Sequence, residues 1–363
     1  MVGCACSGNF GIRRLSNERI FAHGADSDRK LSGARPSGSY PRLAVVYGPR
    51  LLPRPRFAAG THTGLPFERT EEDEKLWVSL LADTEVLFDF DRTHLEDLPE
   101  RAPSVRWIQA TSAGIGQLVA EHWYAEIMPE TVFTTASGVH AIPLAEYALM
   151  SILVFRKKLP EMLADQRERR WERFASTDLN GRSIAVVGMG SIGTEEVRVA
   201  AQFGMRVIGV KHTVAGVEPA SLLLKALYPF NELHAALCGA EHIVLSAPRT
   251  PETEGMIGAV ELALLALGAI IVNVARGALV DDAALVDALE SGQVGGAALD
   301  VFRDEPLSPD SPFWTMPNVF VCAHPAGTSD RENERITDIF CENLHRYLGG
   351  EPLLNVLDAA RMY

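Results

Sequence analysis

The chain has only five cysteines in 363 residues, no apolar run long enough to cross a bilayer, and no surplus of positive charge. Cys4 and Cys6 lie near the start, while Cys238, Cys322 and Cys341 are far apart. That scatter makes neither a disulfide framework nor a zinc site, and it reads as reduced, structural thiols of a cytoplasmic protein. Cys322 precedes His324 by two residues and raises a Cys–His nucleophile, but "VFVCAH" reads as a buried strand with a core thiol. The longest apolar stretch, "LALLALGAIIV" at 262–272, falls short of the ~18 residues a span needs and is broken by Gly268, so no membrane partner is expected. A net charge of −13 argues against a nucleic-acid partner. The densest charged run, Asp165 to Arg173, mixes signs and reads as a solvated helix face. Residues 1–40 lack the apolar centre of a signal peptide, and Glu18, Asp26 and Asp28 oppose a transit peptide. A disordered extension is the expectation there.

What is present is an alternating α/β pattern. Strand-like runs occur in "PRLAVVYG", "TEVLFDF", "VRWIQAT" and "TVFTTA", with helical segments such as "EEDEKLWVSLLAD" between them. Strands that alternate with helices imply parallel, doubly wound sheets. A long amphipathic stretch is expected from about Pro143 to Arg169, and a second α/β run extends to about residue 325. The last segment reads as one helix with Ile336, Ile339, Phe340, Leu344, Tyr347 and Leu348 on one face, ended by Gly349-Gly350 and Pro352.

The second run opens with "SIAVVGMGSIGTEEVRVAAQFGMRVIGV". A lone G-x-G-x-x-G says little, but here a strand precedes it, a helix follows, Gly204 stops that helix, and another strand comes next. Gly188 would make the tight turn, Gly190 would let the backbone approach a pyrophosphate, and Gly193 would allow close helix–strand packing. The amides of Ser191 and Ile192 would then face the phosphates. This unit is read as a dinucleotide site, and it begins halfway along the chain.

Downstream, Arg276 immediately follows a strand, where a guanidinium faces the carboxyl ends of the sheet and suits an anion. Glu305 and His324 sit at segment ends 19 residues apart. A carboxylate stabilises a neighbouring imidazolium, which makes the pair a proton donor near neutral pH. An arginine, such a pair and a nicotinamide site are what reduction of a 2-oxo acid requires.

Over about residues 43–357 the sequence resembles the D-isomer-specific 2-hydroxyacid dehydrogenases, including glyoxylate/hydroxypyruvate reductases. The resemblance rests on "WIQATSAGIG", "GMGSIG", "PRTPET", "VNVARGALVDDAALVDAL", "AALDVFRDEPL" and "HPAG" in fixed order. It implies Arg276, Glu305 and His324 as catalytic residues. It implies Ala113, Gly114 and Ile115 as a loop whose amides, with Arg276, bind the substrate carboxylate. Asp300 matches the aspartate that contacts the nicotinamide carboxamide, and Pro248 and Ala275 join the cofactor set. It further implies two Rossmann-like/flavodoxin-like domains: a discontinuous substrate domain over 41–138 plus 329–363, and a dinucleotide-binding domain over 139–328 that closes on the substrate. It also implies a homodimer and a small 2-oxo or 2-hydroxy acid substrate. Gly116, Pro325 and His140 depart from the common pattern, and His140 is read as structural, with a place lining the cleft as its alternative. Glu305 speaks against formate dehydrogenase, which pairs its histidine with glutamine. A dinucleotide-sensing corepressor on the same fold keeps similar residues and remains the alternative.

The second strand of the nucleotide unit ends in Lys211 and His212 rather than in an acid. An acid there would bind both ribose hydroxyls and repel a 2′-phosphate. Its absence favours NADP(H) over NAD(H), although no arginine follows to clamp the phosphate. A solvated Lys211 with either coenzyme accepted is the competing reading.

Overall fold

The computed structural model describes residues 9–14, 20–23, 43–47, 49–52 and 67–360. The chain divides into two compact units, Met1–Val139 with Thr328–Tyr363, and His140–Gly327.

The first unit contains β1 (Asn9–Arg14), β2 (Ile20–His23), β3 (Leu43–Tyr47), β4 (Val86–Phe88), β5 (Trp107–Gln109) and β6 (Val132–Thr134), in the order β2-β3-β1-β4-β5-β6. Pairings β2–β3, β4–β5 and β5–β6 are parallel, whereas β1 runs antiparallel to its neighbours. The strands Asn9–Arg14 and Ile20–His23 correct the expectation of a disordered extension over residues 1–40. A ladder is built from backbone groups that every sequence carries, so NFGIRR and IFAH can pair as strands without an apolar run that announces them. The rest of residues 1–40 lies outside the described residues.

The helix Glu332–Gly349 returns to this unit and buries Ile336 and Phe340. Phe340 lies 4.5 Å from Phe88 and 5.4 Å from Trp107 between ring centroids, and Tyr347 donates to Glu85 at 2.6 Å. Gly350, at φ 69°, ends the helix as its cap. Leu357 then donates to the Phe133 carbonyl, which ties the tail to β6.

The second unit holds β7 (Ser183–Val187), β8 (Arg206–Lys211), β9 (Ala226–Pro229), β10 (His242–Leu245), β11 (Ala269–Asn273), β12 (Val294–Leu299) and β13 (Val319–Val321). All pair in parallel, in the order β13-β12-β11-β10-β7-β8-β9. Side chains alternate across this sheet. Ala185, Val187, Ile243, Leu245 and Ile271 enter one core, and Ile184, Val186, Val244, Ile270 and Val272 enter the other. Apolar residues on both faces require helices on both faces, so the sheet is doubly wound. The chain leaves β7 in one direction and β10 in the other, and ligands bind at such a switch point in open α/β sheets.

Two local expectations are revised. The stretch from Pro143 to Arg169 is two helices, Ala141–Arg156 and Leu159–Glu168, because Lys158 adopts a left-handed conformation between them. β13 is an edge strand with Phe320 exposed, not a buried one.

Candidate active site

The glycine-rich turn leaves β7 and enters the helix Ser191–Gln202. Gly188 has φ +110°, and a Cβ there would meet the Ala247 Cα at 2.6 Å. A Cβ on Gly193 would overlap the Gly188 carbonyl oxygen, so helix and turn touch through bare backbone. Gly190 differs from both: its Cβ would meet nothing within 4 Å, so that side of the turn is open. Ser191 and Ile192 occupy the first turn of the helix, where amides point outward along the axis. These residues fit a dinucleotide.

Lys211 closes β8 and is half-buried, while His212 and Thr213 are exposed. His212 Nε2 lies 3.6 Å from Glu252, an acid the sequence reading did not associate with this strand end. Pro248 is exposed just beyond β10, and its carbonyl accepts from Thr253 Oγ1 at 2.8 Å.

Three neighbouring strands present the remaining residues at their carboxyl ends. Asn273 ends β11, and its buried amide holds the next turn from both sides, accepting from the Ala275 amide and donating to the Arg276 carbonyl, each at 3.0 Å. Arg276 is exposed and donates to the Ala275 carbonyl at 2.6 Å. Desolvation by the chain around it pulls its pKa down, opposed by the negative charge of Glu305. Gly277 follows, and a Cβ there would overlap backbone atoms of Phe302 and Arg303. The Arg276 turn and the segment leading to Glu305 are therefore in direct contact.

Asp300 follows β12 and is buried. Its amide donates to the Asn273 carbonyl, its own carbonyl accepts from the His324 amide, and its Oδ1 accepts from the Ala326 amide at 3.0 Å. Desolvation raises its pKa, and the Ala326 amide opposes the shift. His324 sits at φ 61°, a left-handed conformation uncommon outside glycine that the two Asp300 bonds hold in place. Its Nδ1 lies 3.0 Å from Glu305 Oε2, while Glu305 Oε1 accepts from the Phe302 amide at 3.0 Å. Both carboxylate oxygens of Glu305 are thus engaged, which fixes the imidazole's orientation.

Ala113, Gly114 and Ile115 lie in the first unit, after β5. Ala113 and Gly114 are exposed, whereas the Ile115 side chain joins the core. Thr111 anchors the loop by donating to Asp89 at 2.8 Å. In the second unit, the His140 ring lies against Gly327, where a Cβ would meet Cδ2 at 3.4 Å, which accords with a packing role. Burial pushes the Cys322 thiol pKa up, opposite to what a nucleophile needs.

The sequence reading missed Asn273, Gly277, Glu196 and Ser246. Asn273, at the end of an apolar strand directly before "VAR", was the most visible of them, since a polar side chain there must find buried partners.

Comparison with known proteins adds three relatives. The family described as "D-isomer specific 2-hydroxyacid dehydrogenase, NAD binding domain" matches residues 149–326. A D-isomer specific 2-hydroxyacid dehydrogenase from Xanthobacter autotrophicus, solved with NADPH and MES, is 32% identical with a TM-score of 0.64, over 74% of this chain and 82% of that one. An NADPH-dependent glyoxylate/hydroxypyruvate reductase from Sinorhizobium meliloti, solved with NADP and sulfate, is 27% identical with a TM-score of 0.65, over 74% and 83%. D-3-phosphoglycerate dehydrogenase of Methanocaldococcus jannaschii is 31% identical over 264 residues, which are 72% of this chain and 49% of that one. This chain therefore spans about half the length of that relative.

Proposed function

The chain belongs to the D-isomer specific 2-hydroxyacid dehydrogenases, and on that premise we propose that it reduces a small 2-oxo acid of the glyoxylate or hydroxypyruvate type to the D-2-hydroxy acid, with NADPH preferred over NADH. The carrying observation is the His324–Glu305 pair at 3.0 Å, with Glu305 reached from Phe302 and Arg303, the segment that packs against the Arg276 turn.

Glu305 accepts a hydrogen bond from His324 Nδ1–H and stabilises the imidazolium, whose Nε2–H protonates the substrate carbonyl oxygen and leaves a neutral imidazole that still carries Nδ1–H. The positive charge of Arg276 binds the substrate carboxylate and draws electron density from the carbonyl. Ala113, Gly114 and Ile115 bind the carboxylate through their amides. A bound reduced nicotinamide supplies hydride. Asp300, fixed by its bond to Ala326, would hold the nicotinamide carboxamide, Pro248 and Ala275 would line the cofactor site, and Gly188 to Gly193 would hold the phosphates. The Lys211 end of β8 carries no acid to repel a 2′-phosphate, and both solved relatives above were crystallised with NADPH or NADP. Exposed Ile142, Met150, Leu159, Met162 and Leu163 on the two helices after His140 support a homodimer.

The test is a panel of glyoxylate, hydroxypyruvate, pyruvate and bulkier 2-oxo acids, each with both coenzymes. Turnover is expected to be fastest with the small acids and NADPH, to fall about 10²–10⁴-fold in His324→Ala, and to shift toward NADH in Lys211→Asp. No turnover with any 2-oxo acid would sink the reading. A wild-type preference for NADH would remove the role of Lys211 alone.

A further inference from the structure

Directly behind the glycine-rich turn lies a carboxylate that the proposed chemistry does not use. Glu196 is on the second turn of the helix Ser191–Gln202 and only 3% exposed, and the other buried residues of that helix are Gly193, Val197 and Ala200. Its Oε2 is 3.0 Å from Ser246 Oγ, and its Oε1 is buried with no hydrogen-bond partner among the described residues. Ser246 Oγ is also 3.0 Å from the carbonyl oxygen of Gly188 and 3.5 Å from that of Val187.

A hydroxyl has one proton. Ser246 can donate to Gly188 or to Glu196, but not to both at once. Both distances are satisfied together only when Glu196 is a neutral acid that donates to Ser246, which then donates to Gly188. The Gly188 carbonyl is the atom that a Cβ on Gly193 would overlap, so it sits over the first turn of the helix whose amides face the phosphates. Among the described residues no charged group offsets the burial of Glu196. Glu195 on its own helix is engaged by Arg198. Glu146, Tyr147 and Arg156 on Ala141–Arg156, Arg206 and Lys211 on β8, and His242 on β10 make no charge interaction with it, and β7 carries no titratable side chain. Desolvation lifts its pKa to about 8, with the Ser246 bond opposing.

We propose that Glu196 is a positioning residue of the dinucleotide site: its neutral carboxyl directs the Ser246 proton onto the Gly188 carbonyl and so sets the phosphate-binding turn, and loss of its proton weakens dinucleotide binding. On ionisation the hydroxyl turns toward the carboxylate and the Gly188 carbonyl loses its donor, while the released proton goes to solvent. The inference rests on the dinucleotide binding of the proposed function.

The experiment is titration of the intact protein with NADPH from pH 6.5 to 9.5, following binding rather than turnover. Wild-type Kd is expected to rise roughly 2- to 10-fold through this range, the span one hydrogen bond carries. Glu196→Gln keeps a neutral donor at every pH and should bind tightly without the step. Ser246→Ala breaks the relay and should bind more weakly throughout, also without it. The same step in either variant would overturn the proposal, and Ser246→Ala answers the question alone if Glu196→Gln does not fold. NADPH binding with a flat profile in the wild type would sink this inference and leave the proposed function standing. Absence of NADPH binding at every pH would sink both.

Discussion

Replacing Gly277 with alanine tests how closely the Arg276 turn and the Glu305 loop depend on one another. A Cβ at this position would overlap the Phe302 carbonyl carbon and the Arg303 amide, so the two chain segments must part by about 1.5 Å to reach the 3.4 Å of ordinary contact. Backbone on both sides cannot yield by a side-chain rotation. One segment carries Arg276, and the other carries the Phe302 amide that holds Glu305 and, through it, His324. A displacement of about 1 Å in a reacting geometry can cost on the order of 10² in rate. Overpacking of this kind destabilises by about 1–3 kcal/mol. We therefore expect kcat to fall about 10²-fold and Tm to drop by only a few degrees, while NADPH binds nearly as before because the turn after β7 is untouched. Steady-state kinetics with the best 2-oxo acid, a thermal melt and an NADPH titration separate these effects. A kcat within threefold of wild type would refute the idea that this contact sets the catalytic geometry.

Gly190→Ala should leave the melt unchanged, since the added Cβ meets nothing, yet raise the Kd for NADPH; unchanged affinity would show that the phosphates do not approach there. Glu196 also makes stability depend on pH. Its folded pKa of about 8 lies above the ordinary 4.5, so the folded state binds the extra proton and stability declines as pH rises from 4.5 to about 8. The slope is at most about 1.4 kcal/mol per pH unit. Urea melts at pH 5.5 and 7.5 should show a smaller difference in Glu196→Gln than in wild type, and equal differences would contradict the burial argument. Deletion of residues 1–23 removes β1, which pairs with both β3 and β4, and should lower Tm markedly; a chain that melts as before would show that this strand is dispensable.

The sequence alone determined the nucleotide unit, because its requirements are local. A glycine at φ +110°, another free of Cβ where the helix meets the turn, and an apolar strand before them are properties of adjacent residues. The roles assigned to Arg276, Glu305 and His324 came from motif order, and tertiary structure added the distance between His324 and Glu305, 19 residues apart. What the sequence could not yield were the groups whose meaning depends on partners far along the chain. Asn273 looks like any strand-end polar residue until the turn to Arg276 and Asp300 is in place around it. The strand Asn9–Arg14 is set by ladder bonds to distant segments, which no short run announces. Glu196 is the sharpest case. By residue type it reads as a solvated helix position beside Glu195, and only the packed fold buries it and brings Ser246, 50 residues away, within 3.0 Å. A glycine's conformation is written in its own missing side chain, whereas the charge state of a carboxylate is decided by what surrounds it.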